Sequence, residues 1–223
     1  MLVAGYGTTT DTSSYILMLL SVFPSVLATL RAEHARVFPP SFADTLSLLR
    51  TNPSITKDLP YTTAVIQEAL RLFPIGMVIR VPPPGMTSFT LNGRTYPVKP
   101  THLFGIMCYA SHYDPAIFDS PSEFRPERFL EEDPSFPRNA YRPFERGLRS
   151  CIGQNLAMDE MRIALVTLAR EFEFELRGHN PVEVQRLGHT DLDTKLGDHA
   201  WQRSRFSAGP NGEVKMRVKL VKG

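Results

Sequence analysis

A ten-residue segment late in the chain places one cysteine between two glycines, directly before a stretch with helical periodicity. The segment, residues 144–153, has the sequence Phe-Glu-Arg-Gly-Leu-Arg-Ser-Cys-Ile-Gly and contains Cys151. Apolar side chains recur at helical spacing after it, so the sequence predicts a helix over 152–170 with Cys151 at its amino end. Because the first N–H groups of a helix lack partners, that end favours an anion. The segment therefore predicts a cysteine held as a thiolate, the form that binds metals.

The residue types around Cys151 suit a flat partner that carries carboxylates. We expect Gly147 to adopt a positive φ, while Gly153 lacks a Cβ and lets the helix approach a macrocycle closely. Phe144 would pack against that ring, and Arg149 would bind a carboxylate at its edge. A single cysteine that begins a helix is usually a small buried hydrophobic residue without a metal. Five residue types at fixed spacing instead favour a haem-thiolate ligand loop.

The spacing Phe-x-x-Gly-x-Arg-x-Cys-x-Gly over 144–153 resembles the haem-binding loop of the cytochrome P450 monooxygenases. The resemblance implies a mainly α fold with small β-sheets, corresponding to the C-terminal half of the family fold and truncated at the N-terminal side. Residues 1–223 are then expected to form a single domain. It also implies haem b with Cys151 as axial thiolate ligand, surrounded by Phe144, Gly147, Arg149, Gly153 and Ala157.

The first residues resemble the helix that lies above the iron in this family. The predicted helix 2–22 contains Ala-Gly-Tyr-Gly-Thr-Thr, in which Ala4 and Gly5 would leave room for dioxygen and the Thr8 hydroxyl would organise proton delivery. The family usually has an acid before this threonine, and here the residue is Gly7. Two alternatives stay open: water reaches Thr8 through the space left by Gly7, or the reaction needs fewer protons, as a rearrangement does.

Further landmarks of the family follow in order. Glu68 and Arg71 lie three residues apart in a predicted helix over 59–73, and Arg128 lies in the proline-rich meander 114–143. The resemblance implies that these three side chains form a buried structural clamp that anchors the meander.

A fourth charged residue lies in an apolar, strand-like stretch. Arg80 needs a partner if it points inward, and the resemblance implies that it binds a second haem propionate. His112 is another neighbour that we consider for a propionate, without assigning it.

Local patterns predict the remaining elements. Asn92-Gly93 between two short runs of β-formers is typical of a hairpin. Helical patterns cover 25–37 and 41–49, a turn is expected at 52–53, strands over 172–176 and 213–221, and irregular structure over 178–209.

Charge and cysteine usage exclude several classes of function. The net charge is +2 and the sequence lacks a dense Lys/Arg block, so nucleic-acid binding is not expected. Two cysteines do not make a disulfide framework, and Cys108, in an apolar run, is expected to be a core thiol in a reducing, intracellular compartment. The apolar run 15–20 is too short for a membrane span, although a full-length relative would be anchored to the endoplasmic reticulum.

The resemblance implies a haem-dependent monooxygenase of secondary metabolism, which inserts one atom of dioxygen into a small apolar organic substrate. Its electrons would come from a flavoprotein reductase or an iron–sulfur protein. Two alternatives stay open: a catalytically inactive haem-binding fragment or interaction module, and a haem-thiolate isomerase or peroxide-driven enzyme.

Overall fold

The computed structural model describes residues 2–76, 78–131, 135–179, 190–204 and 207–221. Within these ranges the chain is mainly helical with small sheets, as the sequence predicts. The α-helices are α1 Leu2–Val22, α2 Pro24–Val37, α3 Phe42–Thr51, α4 Pro60–Leu72, α5 Cys108–His112, α6 Gln154–Glu171 and α7 Thr190–Leu196. Short 3₁₀ helices cover Pro53–Asp58, Pro126–Phe129, Gly147–Arg149 and Gly197–Ala200.

Proline and serine mark where the first helices begin. Pro24 occupies the first turn of α2, and Pro60 does the same in α4, because a missing N–H costs nothing there. Ser41 caps α3, since its hydroxyl accepts the backbone N–H of Asp44. Among the described residues no single helix is long and apolar enough to cross a membrane, whereas Ala4–Val22 and Pro24–Val37, bent by 108°, meet the same criteria as a pair.

The main core lies where α1, α4 and α6 pack together. Tyr15 of α1 stacks on Phe73, just after α4, with ring centroids 4.0 Å apart. Leu19, Val65 and Leu165 bring one fully or almost fully buried side chain from each of the three helices into the same cluster. This packing fixes α6, and with it the cysteine loop that precedes it.

The strands form four antiparallel pairs: β1 Val78–Arg80 with β4 Phe104–Ile106, β2 Ser88–Leu91 with β3 Arg94–Pro97, β5 Phe172–Arg177 with β8 Lys215–Leu220, and β6 Gln202–Ser204 with β7 Ala208–Pro210. The hairpin prediction is confirmed, since Asn92 and Gly93 connect β2 to β3 with φ of 49° and 74°. Both values are positive, as a two-residue turn that matches the strand twist requires.

Three predictions differ from the structure. Helix α6 begins at Gln154 with Gly153 at the N-cap, so Cys151 precedes it instead of opening it, because a turn at 152–153 intervenes. The turn at Pro53 continues as a 3₁₀ helix to Asp58. The stretch 178–209, expected to be irregular, contains α7, whose Leu192 and Leu196 are buried in the core, and strand β6, which pairs antiparallel with β7.

Candidate functional site

The cysteine loop, residues 144–153, is a compact turn closed by its own backbone. The Cys151 N–H donates to the Phe144 carbonyl at 2.8 Å, and the Ser150 N–H donates to the Gly147 carbonyl at 3.0 Å. Gly147 has φ of 75°, the left-handed conformation that the sequence predicts for it. Phe144 packs against the main core and anchors the beginning of the loop.

The loop presents the Cys151 thiol at the surface. Cys151 is exposed, and so are the apolar side chains of Leu148 and Ile152 beside it, at 105% and 87% of their reference areas. A Cβ added to Gly153 would lie 3.9 Å from the Cys151 Sγ, in ordinary van der Waals contact. The thiol therefore lies among apolar side chains that the described part of the chain leaves uncovered.

This donor set fits a haem better than a metal ion held by side chains. Among the described residues no group of three or more His, Cys, Asp or Glu side chains lies close enough to hold a metal. Haem iron is held by its own macrocycle and takes a single protein ligand on one face, for which one thiolate suffices. The uncovered apolar side chains suit the faces of that macrocycle.

Of the two arginines expected to bind haem carboxylates, Arg149 belongs to the loop itself and Arg80 lies at the end of β1. Arg149 is exposed at the end of the 3₁₀ turn. Arg80, with its side chain 39% exposed, faces Glu145 of the loop, with 3.8 Å between Nη2 and Oε2. The structure thus brings β1 to the cysteine loop, as a site shared by Arg80 and Cys151 requires.

Glu145 is a residue of this site that the sequence analysis did not single out. Its carboxylate is almost fully buried and pairs with Arg142, whose Nε lies 2.7 Å from Oε1. The spacing Arg-x-x-Glu within 142–145 is a signal that pointed to the pair, although such pairs are usually exposed and weak.

The residues expected above the iron lie in the first turns of α1. The Thr8 hydroxyl donates to the Ala4 carbonyl one turn earlier, at 2.8 Å. Gly5 is exposed, and a Cβ at this position would meet nothing within 4 Å. Ala157, on α6, is half-buried against the main core. The roles of Ala4, Gly5 and Thr8 above the iron stay predictions.

The predicted clamp of Glu68, Arg71 and Arg128 is present and buried. Arg71 donates to both oxygens of Glu68, from Nε at 2.7 Å and from Nη2 at 2.8 Å, and Arg128 Nε donates to Oε1 at 3.0 Å. The two guanidinium groups also donate to backbone carbonyls of the meander, those of Asp119, Ser120, Pro121 and Glu123.

His112 is hydrogen-bonded to the backbone of Arg71, a residue of this clamp. Its Nε2 accepts the backbone N–H of Arg142 at 3.2 Å, so its Nδ1 carries the proton and donates to the Arg71 carbonyl at 3.0 Å. Burial is the main cause that lowers the pKa of His112 to about 4, which keeps the ring neutral. Both ring nitrogens are engaged by protein groups, so the role in the structure is to join the meander to α4.

Comparison with known proteins identifies the family. A model of the family Cytochrome P450 matches residues 1–192. The chain belongs to the cytochrome P450 family. It is 36% identical to Cytochrome P450 monooxygenase acrF of Aspergillus aculeatus, over 96% of this chain and 48% of the relative. It is 32% identical to Cytochrome P450 monooxygenase polC of Polytolypa hystricis, over 98% of this chain and 39% of the relative.

A further relative is matched over most of its own length. Cytochrome P450 monooxygenase PC-23 of Penicillium crustosum is 37% identical over 72% of this chain and 79% of the relative. In contrast, the chain spans about half or less of the length of acrF and polC. Membership of the cytochrome P450 family implies haem as the cofactor.

Proposed function

We propose that this chain carries the haem-thiolate site of a cytochrome P450 monooxygenase, with Cys151 as the axial ligand of haem b. One observation supports this most directly: the cysteine loop holds its only cysteine exposed, beside uncovered apolar side chains and with Arg80 within reach of the same loop. When bound, the haem supplies the activation of dioxygen, using electrons from a flavoprotein reductase or an iron–sulfur protein.

The residues of this chain then bind and orient the cofactor. Phe144, Gly147, Gly153 and Ala157 would shape the surface that the macrocycle covers, and Cys151 would supply the thiolate that binds its iron. Arg149 and Arg80 hold the two propionates through charge-assisted hydrogen bonds.

On the opposite side, Ala4 and Gly5 leave space, and Thr8 delivers protons. The Thr8 hydroxyl uses its single proton on the Ala4 carbonyl, so its oxygen lone pairs remain to hold a water. That water takes the place of the acidic side chain that the family usually has at this position, where this chain has Gly7. The substrate is a small apolar organic molecule, and the setting is intracellular.

One observation favours a second candidate, a haem-binding module without turnover. Gly7 offers no acid, and the Thr8 hydroxyl donates to its own helix instead of facing a carboxylate. In that case the site binds haem through Cys151 but lacks proton delivery.

Reductant and oxygen consumption of the haem-loaded protein separates the two candidates. With an apolar substrate and a reductase, we expect substrate-dependent reductant consumption and a hydroxylated product. Thr8→Val removes the hydroxyl at nearly constant shape. Without the hydroxyl that holds the water, the variant should consume more reductant for each molecule of product. Thr8→Ser keeps the hydroxyl and should resemble the wild type. Haem-loaded protein that consumes no reductant in response to any substrate would establish the second candidate instead.

A further inference from the structure

The carboxylate of Glu145 lies between two arginines inside the cysteine loop. Its side chain is 5% exposed. Oε1 accepts hydrogen bonds from Arg142, through Nε at 2.7 Å and through Nη2, and from the backbone N–H of Arg146 at 3.1 Å. Oε2 has no hydrogen-bond partner among the described residues and lies 3.8 Å from Arg80 Nη2. Oε1 therefore accepts three hydrogen bonds, while Oε2 interacts with Arg80 only through their opposite charges.

The backbone of Glu145 adopts a conformation that its residue type disfavours. Its φ is 61°, in the left-handed region where a Cβ meets the following carbonyl. Such a conformation persists only when surrounding contacts stabilise it. The hydrogen bonds of the carboxylate to Arg142 and to the Arg146 N–H are contacts of this kind, since they join the side chain to residues on both sides of the strained position.

These contacts connect the cysteine to the buried clamp. Arg142 donates its backbone N–H to His112, which in turn donates to the Arg71 carbonyl. On the other side, Phe144 accepts the N–H of Cys151 through its carbonyl. Glu145 follows Phe144 directly, so a displacement of its carboxylate changes the turn that carries the thiol.

Arg80 keeps hydrogen-bond donors free in this arrangement. Among the described residues it donates to the Ile79 carbonyl at 3.1 Å and meets Glu145 beyond hydrogen-bond distance. A guanidinium has five N–H donors, so a carboxylate ligand can bind Arg80 while Glu145 stays in place.

We propose that Glu145 is a positioning residue of the haem site. Its carboxylate fixes the turn of Cys151 through Arg142 and Arg146, and its charge holds the guanidinium of Arg80 beside the loop before the cofactor arrives. This inference rests on the proposed function, in which Cys151 and Arg80 both bind haem.

Hydrogen exchange of the haem-free chain tests the first half of this role. Glu145→Gln keeps the shape and removes the charge. The amide of Arg146 should then exchange about tenfold faster, because its hydrogen bond to a charged group becomes one to a neutral group. The amide of Cys151, which donates to the Phe144 carbonyl, should also exchange faster, because the turn is less firmly held. Glu145→Asp keeps the charge and should remain within about threefold of the wild type. Glu175→Gln is the matched control, because Glu175 also pairs with two arginines, Arg177 and Arg217, but on the exposed face of β5.

A second variant keeps the test valid if Glu145→Gln fails to fold because of the strained φ at position 145. Glu145→Gly removes the carboxylate together with the cost of the left-handed φ, and its loop amides should also exchange faster than those of the wild type. Wild-type exchange rates in both Glu145→Gln and Glu145→Gly would overturn the role of Glu145 in the loop.

Haem titration tests the second half. Glu145→Gln should weaken haem binding about tenfold, and combining it with Arg80→Gln should weaken binding by less than the product of the two single effects, because one residue acts through the other. Fully multiplicative effects would overturn the link to Arg80. A wild-type chain that binds no haem would contradict the proposed function and the role of Glu145 toward haem, while the exchange rates would still decide whether Glu145 fixes the turn of Cys151.

Discussion

Two buried histidines make the stability of this protein sensitive to mild acid. Burial is the main cause that lowers the pKa values of His34 and His112 from 6.5 to about 4, with the charge of Arg170 adding to the effect at His34. The unfolded chain therefore takes up protons below about pH 6.5, whereas the folded chain does so only near pH 4. The free energy of unfolding falls across this window as the pH falls, by roughly 3 kcal/mol for each histidine.

Urea unfolding of the haem-free chain between pH 7 and about pH 4.5 measures this loss. His112→Asn keeps one donor and one acceptor but does not titrate, so the pH-dependent loss should shrink by about half. His102→Asn, at an exposed histidine, should leave the loss unchanged. The account of His112 is wrong if His112→Asn loses as much stability with falling pH as the wild type.

Single residues of the site divide into those that local sequence reveals and those that it does not. The positive φ of Gly147 follows from a motif of ten adjacent residues, in which spacing alone carries the information. Glu145 has a partner, Arg80, on a strand far earlier in the chain. Such a pairing depends on how β1 packs against the loop, which no local pattern specifies.

At the scale of elements, the clamp joins α4 to a meander that has little regular structure of its own. Arg128 reaches Glu68 of α4 while donating to the carbonyls of Asp119 and Ser120. The backbone N–H of Arg125 donates to the same Glu68 at 3.0 Å. Because the side chains of Glu68, Arg71 and Arg128 are buried, each depends on the others to compensate its loss of hydration.

Removing Arg128 should therefore destabilise the protein strongly. Arg128→Met leaves the carbonyls of Asp119 and Ser120 without these donors and the buried Glu68 without half of its positive partners, and we expect a loss of about 3–5 kcal/mol in the free energy of unfolding. Arg125→Met is the matched control, three residues earlier, where an arginine 32% exposed pairs with an aspartate 67% exposed. Such a pair contributes about 1 kcal/mol or less. Equal losses in chemical denaturation of the two variants would contradict a buried clamp.

The sequence predicts those helices and strands whose formation depends on neighbouring residues. The β2–β3 hairpin follows from Asn92-Gly93, because few other residue pairs tolerate two positive φ values in succession. Helix α7 has seven residues, too few for a periodic pattern, and it exists because Leu192 and Leu196 are buried against helices formed elsewhere. Its formation therefore depends on the assembled core.

The amino end of α4 shows the same dependence on distant residues. Leu59, at the N-cap, makes no side-chain cap, and the N–H groups of Tyr61 and Thr62 are accepted by Glu33 of α2 at 2.6 and 2.8 Å. A capping signal sought next to the helix would miss this carboxylate, because it comes from a different helix.

At the scale of the whole molecule, the packing of α1, α4 and α6 holds the cysteine loop at a surface that is apolar and uncovered. The side chains of Leu148 and Ile152 are exposed and do not belong to the core, and both residues flank the exposed thiol of Cys151. A ligand that binds only the folded chain stabilises it. In our proposal this ligand is haem, which would cover these side chains and bind this thiol.

The absorption spectrum of the reduced, haem-loaded protein under carbon monoxide tests the central proposal, the Cys151 thiolate as iron ligand, most directly. The wild type and Cys108→Ser should both show the long-wavelength Soret band of a thiolate-ligated adduct, because Cys108 is buried beside the Arg142 carbonyl. Cys151→Ser should lose that band, since a serine hydroxyl does not replace a thiolate. A wild-type protein without the band, or a Cys151→Ser variant that keeps it, would contradict the assignment of Cys151.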